Sequence, residues 1–294
     1  MEYLSAKSIL YKTKDTSWFG AEYNMNIYRG CNHGCIYCDS RSECYRLPEF
    51  ETVKAKADSA RIIRDNLRSK SKRGVVSTGS MSDPYNSFEE ELGLTRQALS
   101  LLHAYEFGVD IATKGTLVTR DIDILKDIQK AAPVLVKITI TCAEDALSQI
   151  IEPGAPPSSK RFEAIHALSE AGIFCGVLLM PVLPFINDTE DNIRGIVQKA
   201  AQNGARFVYP AMGMTLRTGN REYFYKELDR HFPGVKERYQ KTFGDKYQCL
   251  SPKVSELWSV FKAECDKTGL LYKMKDIVSA SRLGTTDRQM SLFD

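Results

Sequence analysis

Arg29-Gly30-Cys31-Asn32-His33-Gly34-Cys35-Ile36-Tyr37-Cys38 places three cysteines within eight residues, spaced Cys-x3-Cys-x2-Cys, directly after an apparent strand, Tyr23–Tyr28. Three thiolates on one tight loop suit three corners of a cubane iron–sulfur cluster, leaving the fourth iron without a protein ligand. Gly30 and Gly34 let the backbone pass close to such a bulky core. Zinc is the competing occupant and needs a fourth ligand, which His33 or Cys44 would supply. Thiols that merely pack are a third reading, and the close spacing weighs against it.

Outward from this loop, strands and helices alternate. Strands are expected at Tyr23–Tyr28, Gly74–Thr78, Val109–Ala112, Val134–Thr141, Phe174–Met180 and Arg206–Tyr209, each short, rich in β-branched or aromatic residues, and bounded by turn or polar residues. Helices are expected between them, over Thr52–Ser71, Glu89–Tyr105, Asp121–Lys130, Ser158–Ala171 and Thr189–Asn203. Ser158 and Asp188 are the expected N-caps, and Gly172 and Gly204 the C-terminal stops. Six such units imply parallel βαβ crossovers. Right-handed crossovers curl them into a partial barrel, with a doubly wound open sheet as the alternative. Residues 1–21 read as an irregular lead-in to a barrel ending near 215, and 216–294 as a helical extension packed on it.

Composition narrows the class. Of 294 residues, 43% are hydrophobic and 26% charged, which excludes a disordered or collagen-like chain. No apolar run approaches the ~18–20 residues that span a bilayer. Residues 1–10 lack a signal-peptide pattern, so the expected location is cytoplasmic, without membrane partners. The eight cysteines are then reduced thiols or metal ligands. A net charge of +3 is too small to argue for nucleic acid.

The cysteine triplet, with an aromatic before its third member, resembles the radical S-adenosylmethionine (radical SAM) superfamily. The strand ends extend the likeness. Ser80-Met81-Ser82-Asp83-Pro84-Tyr85, Thr113-Lys114, Thr139-Ile140-Thr141, Ile151-Glu152-Pro153-Gly154 and Met180-Pro181 gather polar and special residues after successive strands. In a barrel that end holds the active site. Together these segments resemble the spore photoproduct lyase-like branch over about residues 22–210. The resemblance implies a partial (β/α)6 barrel, a [4Fe–4S] cluster on Cys31, Cys35 and Cys38, and SAM chelated to the open iron. It sets the backbone of Tyr37 against the adenine and places Ser80, Ser82, Asp83, Lys114, Thr139 and Arg161 among the SAM-side residues. Lys114 is a compact cation suited to a carboxylate, and Asp83 could accept from the methionine ammonium.

One departure matters. The lyase has a hydrogen-donating cysteine where this chain has Ser80, and a serine O–H donates hydrogen atoms poorly. Tyr85, Cys142 and Cys44 are the candidates to replace it, Cys142 being equally readable as a small buried hydrophobe. With no second Cys-x2-Cys, a single cluster is expected.

The resemblance implies a radical enzyme acting on DNA or a nucleotide lesion, with an electron donor such as flavodoxin or ferredoxin. Modification of RNA, peptide or a small molecule is the alternative, as is a non-enzymatic metal-binding scaffold. Segment 51–73 carries Lys54, Lys56, Arg61, Arg64, Arg68, Lys70, Lys72 and Arg73 against three acids, which suits phosphate or a solvated helix face. Segment 217–247 interleaves aromatics with basic residues, as a base-stacking surface or a helical core would. The tail Gln289-Met290-Ser291-Leu292-Phe293 resembles the motif by which bacterial proteins dock on the DNA sliding clamp, where a Leu-Phe pair fills an apolar pocket.

Overall fold

The computed structural model describes residues 1–47 and 49–283, so the clamp-like tail Gln289–Phe293 lies outside the described residues. Six parallel strands form the frame: β1 (Tyr23–Met25), β2 (Val75–Thr78), β3 (Gly108–Thr113), β4 (Val134–Thr139), β5 (Cys175–Leu179) and β6 (Phe207–Pro210). Each pairs with its predecessor in sequence, without a reversal of order. A doubly wound sheet would reverse at a switch point, so the sequential order selects the partial barrel. Antiparallel pairing of Leu10–Lys12 with β1 makes seven strands.

The crossover helices are α1 (Ser59–Arg68), α2 (Leu94–Ala104), α3 (Ile122–Gln129), α4 (Ser158–Glu170) and α5 (Glu190–Gln202). Strand alternation divides two environments. Val134, Val136 and Ile138 of β4 join the large core beneath the helices, whereas Leu135, Lys137 and Thr139 face the barrel interior with the matching residues of neighbouring strands. The interior is polar at one level: Lys137 Nζ lies 2.6 Å from Asp110, which also accepts from Ser77 Oγ at 3.0 Å. Phe19 covers that pair, with the Lys137 ammonium 4.2 Å from its ring centre.

Several sequence expectations need correction. The lead-in is not wholly irregular, since Glu2–Leu4 pairs with Lys54–Lys56 and Leu10–Lys12 joins the main sheet. Lys54–Lys56 is therefore a strand, and α1 begins only at Ser59. The helix expected over Glu89–Tyr105 breaks at Gly93, which adopts φ +58° between Glu89–Leu92 and α2. Thr189, not Asp188, caps α5 by accepting from Asn192 N, and Pro157 precedes α4 where Ser158 was expected to cap. In the basic stretch Arg61, Arg64 and Arg68 share the exposed face of α1 with Asp65. Lys54 pairs with Glu2 and Glu49, Arg61 and Arg64 with local aspartates, and Arg68–Arg73 lead into the start of β2, away from the strand ends.

Beyond β6, helices Asn220–His231, Val235–Phe243, Val254–Thr268 and Met274–Arg282 follow a ribbon pairing Gly213–Thr215 with Gln248–Leu250. Helix Val254–Thr268 packs on α5, burying Leu257, Phe261 and Cys265 in the main core, and Arg194 reaches Glu264 at 2.8 Å. Phe224, Tyr239 and Phe243 pack against one another, so these aromatics of the 217–247 segment are core.

The sheet stops short of closure: among the described residues its two edge strands, β6 and Leu10–Lys12, do not pair with each other. The seam is covered by Trp18 and Phe19, stacked edge-on against Tyr209 of β6, and by helix Met274–Arg282. Arg282 donates to Gly20 O at 2.8 Å, and Phe19 N–H points at Met274 Sδ at 3.3 Å.

Candidate active site

The cysteine loop lies at the C-terminal mouth of the barrel. Gly30 takes φ +80° where a Cβ would meet Thr52 O at 2.5 Å, so only glycine fits at this crossing. Backbone bonds fix the loop from both sides: Cys31 N–H to Phe50 O at 2.8 Å, Ile36 N–H to Ile151 O at 3.0 Å, and Gly154 N–H to His33 O at 2.9 Å. Cys31, Cys35 and Cys38 line a cavity of about 110 Å³ with Ser40, Ser80, Ser82, Asp83, Lys114 and Thr139. Residues from the ends of β1 to β4 thus converge where the strand ends place them.

Beneath the loop lies a charged network. Glu152 is fully buried and accepts from the Tyr37 hydroxyl and from Thr141 Oγ1 at 3.2 Å. Arg161 Nη1 stands 2.6 Å from its other oxygen, and Lys114 Nζ 4.0 Å away. Burial alone would raise the Glu152 carboxyl, but Arg161, Lys114 and the Tyr37 bond hold it below its ordinary value. Burial, with Glu152 alongside, drives the Tyr37 phenol well above its usual range. Burial would lower Lys114, yet Cys35 and Glu152 carry its ammonium above the ordinary value, so it stays charged at the cavity wall. Arg161, placed among the SAM-side residues by the resemblance, is fully buried and bonds Thr139 O at 2.9 Å and Pro156 O at 2.6 Å, below the cavity lining.

Asp83 lines the cavity with both carboxylate oxygens already engaged. Oδ1 accepts from Tyr85 N at 2.9 Å and Thr113 Oγ1 at 2.5 Å. Oδ2 accepts from Lys114 N at 2.8 Å and faces His33 Nδ1 at 3.4 Å. One carboxylate therefore joins the β2 loop, the β3 loop and the cysteine loop. Ser82 Oγ donates to Tyr28 O at 3.0 Å, and Ser80 is exposed beside Asn24 and Asn26.

The three hydrogen-donor candidates lie elsewhere. Tyr85 is buried and donates to Asp121 Oδ2 at 3.1 Å. Cys142 is buried beside Thr141 and Asn187, and burial pushes its thiol up to about 12. Cys44 is exposed, with Arg217 Nη1 at 3.3 Å from its sulfur. None of the three lines the mouth cavity.

Sequence reasoning attached no role to Glu152, Thr113 or Thr141. The only signal was their place at strand ends and, for Glu152, a Pro-Gly turn beside it.

The model of the radical SAM superfamily matches residues 25–196. The chain belongs to that superfamily. An uncharacterized protein of Mycobacterium tuberculosis is 31% identical over 244 residues, covering 81% of this chain and 72% of the relative. An uncharacterized protein of Methanocaldococcus jannaschii is 33% identical over 173 residues, covering 58% of this chain and 64% of the relative. Among solved structures, spore photoproduct lyase complexed with dinucleoside spore photoproduct superposes with a TM-score of 0.66 at 13% identity, covering 90% of this chain and 79% of that one. The radical SAM methyltransferase TsrM of Kitasatospora setae, with cobalamin and a [4Fe–4S] cluster bound, gives 0.54 at 11% identity, covering 83% and 50%. At these identities the two structures share the fold.

As a radical SAM enzyme, the chain is of a family that implies a [4Fe–4S] cluster and SAM, and its donor set fits them. A zinc site would need the three thiols and His33, which lines the same cavity, to converge on one ion. Among the described residues no group of three or more His, Cys, Asp or Glu is arranged to hold one metal ion. A cubane has no need of that convergence, since each thiolate takes a different iron. Burial raises the Cys35 thiol to about 12 and Cys31 to about 11, so a cationic iron core would supply the driving force for their deprotonation. No helix among the described residues is long and apolar enough to cross a membrane.

Proposed function

We propose that this radical SAM enzyme holds its cluster on Cys31, Cys35 and Cys38, binds SAM in the adjoining cavity, and abstracts hydrogen from DNA or a nucleotide lesion. The convergence of three free thiols with Lys114, Ser82 and Thr139 on one cavity carries the reading. When bound, these cofactors supply a 5′-deoxyadenosyl radical by reductive cleavage of SAM, and the protein contributes binding, orientation and exclusion of water. Among the described residues that line the cavity, Lys114 is the cation that can meet the methionine carboxylate. Thr139 and Ser82 offer hydroxyl oxygens, and Tyr37 backs the adenine side. Asp83 works through the loops it ties together.

The DNA part rests on the likeness to a lyase that holds a dinucleoside photoproduct. Hydrogen return cannot use a thiol at Ser80. Of the five cysteines outside the triplet, only Cys44 is exposed, so a thiol donor meeting substrate would be Cys44. Reduction of the cluster calls for a donor of the flavodoxin or ferredoxin type. Docking of Gln289–Phe293 on a sliding clamp rests on its sequence alone, and clamp pull-down with Phe293→Ala as control decides it.

Anaerobic reconstitution with iron and sulfide, reduction and addition of SAM should yield 5′-deoxyadenosine, lost in Cys35→Ala. Absence of SAM cleavage in a four-iron protein refutes the enzyme reading. Failure to retain irradiated or intact DNA oligonucleotides at moderate salt refutes the DNA substrate and favours RNA, peptide or a small molecule.

A further inference from the structure

We propose that Glu152 is a positioning residue for the cluster: it fixes the Cys35–Cys38 arm through Tyr37 and lays a fixed negative charge beneath it. The proposal rests on the reading of Cys31, Cys35 and Cys38 as cluster ligands.

The geometry is specific. Tyr37 lies between two of those cysteines, and its hydroxyl ends on Glu152 inside the protein. The residues flanking Glu152 bond the same loop: Ile151 O accepts from Ile36 N–H, and Gly154 N–H donates to His33 O. Three links from one short turn, at Ile151, Glu152 and Gly154, therefore set the register of the cysteine arm. Groups adjoining metal ligands orient them and tune the metal's properties.

The charge inventory favours a tuning role. Arg161 contacts Glu152 directly and Lys114 only at 4.0 Å, so one carboxylate faces two buried or half-buried cations. A buried ion pair is weak evidence for a purely stabilising role, since apolar replacements of similar volume are often at least as stable. A negative charge held near the irons disfavours an added electron and lowers the reduction potential. Arg161 keeps Glu152 ionised, and Lys114 remains the cation able to move to a ligand carboxylate while the Glu152–Arg161 pair stays in place.

The test compares wild type, Glu152→Gln and Glu152→Asp after anaerobic reconstitution, using an EPR-monitored redox titration without SAM. Gln keeps the shape and loses the charge, so its midpoint potential should move to a more positive value. Identical potentials in wild type and Glu152→Gln overturn the proposal. Asp keeps the charge but is one methylene short of reaching both Tyr37 and Arg161, so a chelator should remove iron at least threefold faster. Should Glu152→Gln fail to fold, chelation of Glu152→Asp at the wild-type rate overturns the proposal instead. A wild-type protein that forms no four-iron signal refutes the cluster reading and this proposal with it, whereas a normal signal with unchanged variants refutes this proposal alone.

Discussion

Asp83→Asn separates two roles for one carboxylate, a brace between loops and an acceptor for the SAM ammonium. Asp83 accepts from Tyr85 N, Thr113 Oγ1 and Lys114 N and faces His33 Nδ1, all within 3.4 Å. An amide keeps one acceptor oxygen and turns the other into a donor. If the amide nitrogen takes the Oδ2 place, His33 can adjust by presenting its other tautomer, but the Lys114 backbone N–H is left facing a donor. An orphaned buried donor costs about 1–3 kcal/mol. The remaining bonds lose the charge assistance that roughly doubles their strength, which adds about 1 kcal/mol. The sum is about 2–4 kcal/mol, and at about 2 °C per kcal/mol for a chain of this size the melting point should fall by about 4–8 °C. Calorimetry of the metal-free protein gives this directly, and equilibrium dialysis of the cluster-loaded variant gives the SAM affinity. A melting point within 1 °C of wild type together with collapsed SAM binding would refute the brace and restore Asp83 as a ligand to the ammonium.

Other consequences follow from the same coordinates. Gly154→Ala puts a Cβ 2.3 Å from Asn32 O, roughly 1 Å too close, so iron incorporation should drop, with about 1–3 kcal/mol of lost stability, although no ligand is altered. Asp110→Asn leaves the Lys137 ammonium buried without its anion and should cost about 3–5 kcal/mol in chemical denaturation, with partial recovery in the double variant Asp110→Asn/Lys137→Met. Alkylation of the native metal-free protein, read by mass spectrometry, should label Cys44 first and leave Cys142, Cys175 and Cys265 untouched, since burial pushes those three up to about 12. Asp123 bonds Arg96 and is held down to about 2 in the fold. Its folded value lies below the ordinary ~3.9 of the unfolded chain, so its contribution is present above that value and fades as pH falls through about 2. An NMR titration should find that midpoint, and Arg96→Met should return it toward ~3.9.

The barrel was legible because its strands are short runs rich in β-branched residues, set between helical segments. Runs such as Val134–Thr139 announce themselves without any partner in view. Lys54–Lys56 could not be found that way: it is polar, three residues long, and owes its conformation to Glu2–Leu4, remote in sequence. The cysteine loop was legible because its three thiols fall within one short segment, at a spacing that suits a cluster. The bracing carboxylates were hidden because their partners arrive from other strands, Thr113 to Asp83 and Tyr37 to Glu152, separated by 30 and 115 positions. Tyr85 and Cys142 show a further limit. Position just past a strand end tells which end of the barrel a residue occupies, not which way its side chain turns.

The seam between β6 and the edge strand Leu10–Lys12 has a mechanical consequence. Trp18, Phe19 and helix Met274–Arg282 bridge it through rings and a guanidinium, and Leu271, just before that helix, forms a parallel bridge with Phe207 of β6. The girth of the barrel, and with it the spread of the strand ends around the cysteine loop, is therefore held by a clasp assembled from opposite ends of the described chain. Loosening Phe19 at the floor would let the mouth widen, so a substitution far from every thiol would register as a change in how tightly the cavity grips what enters it.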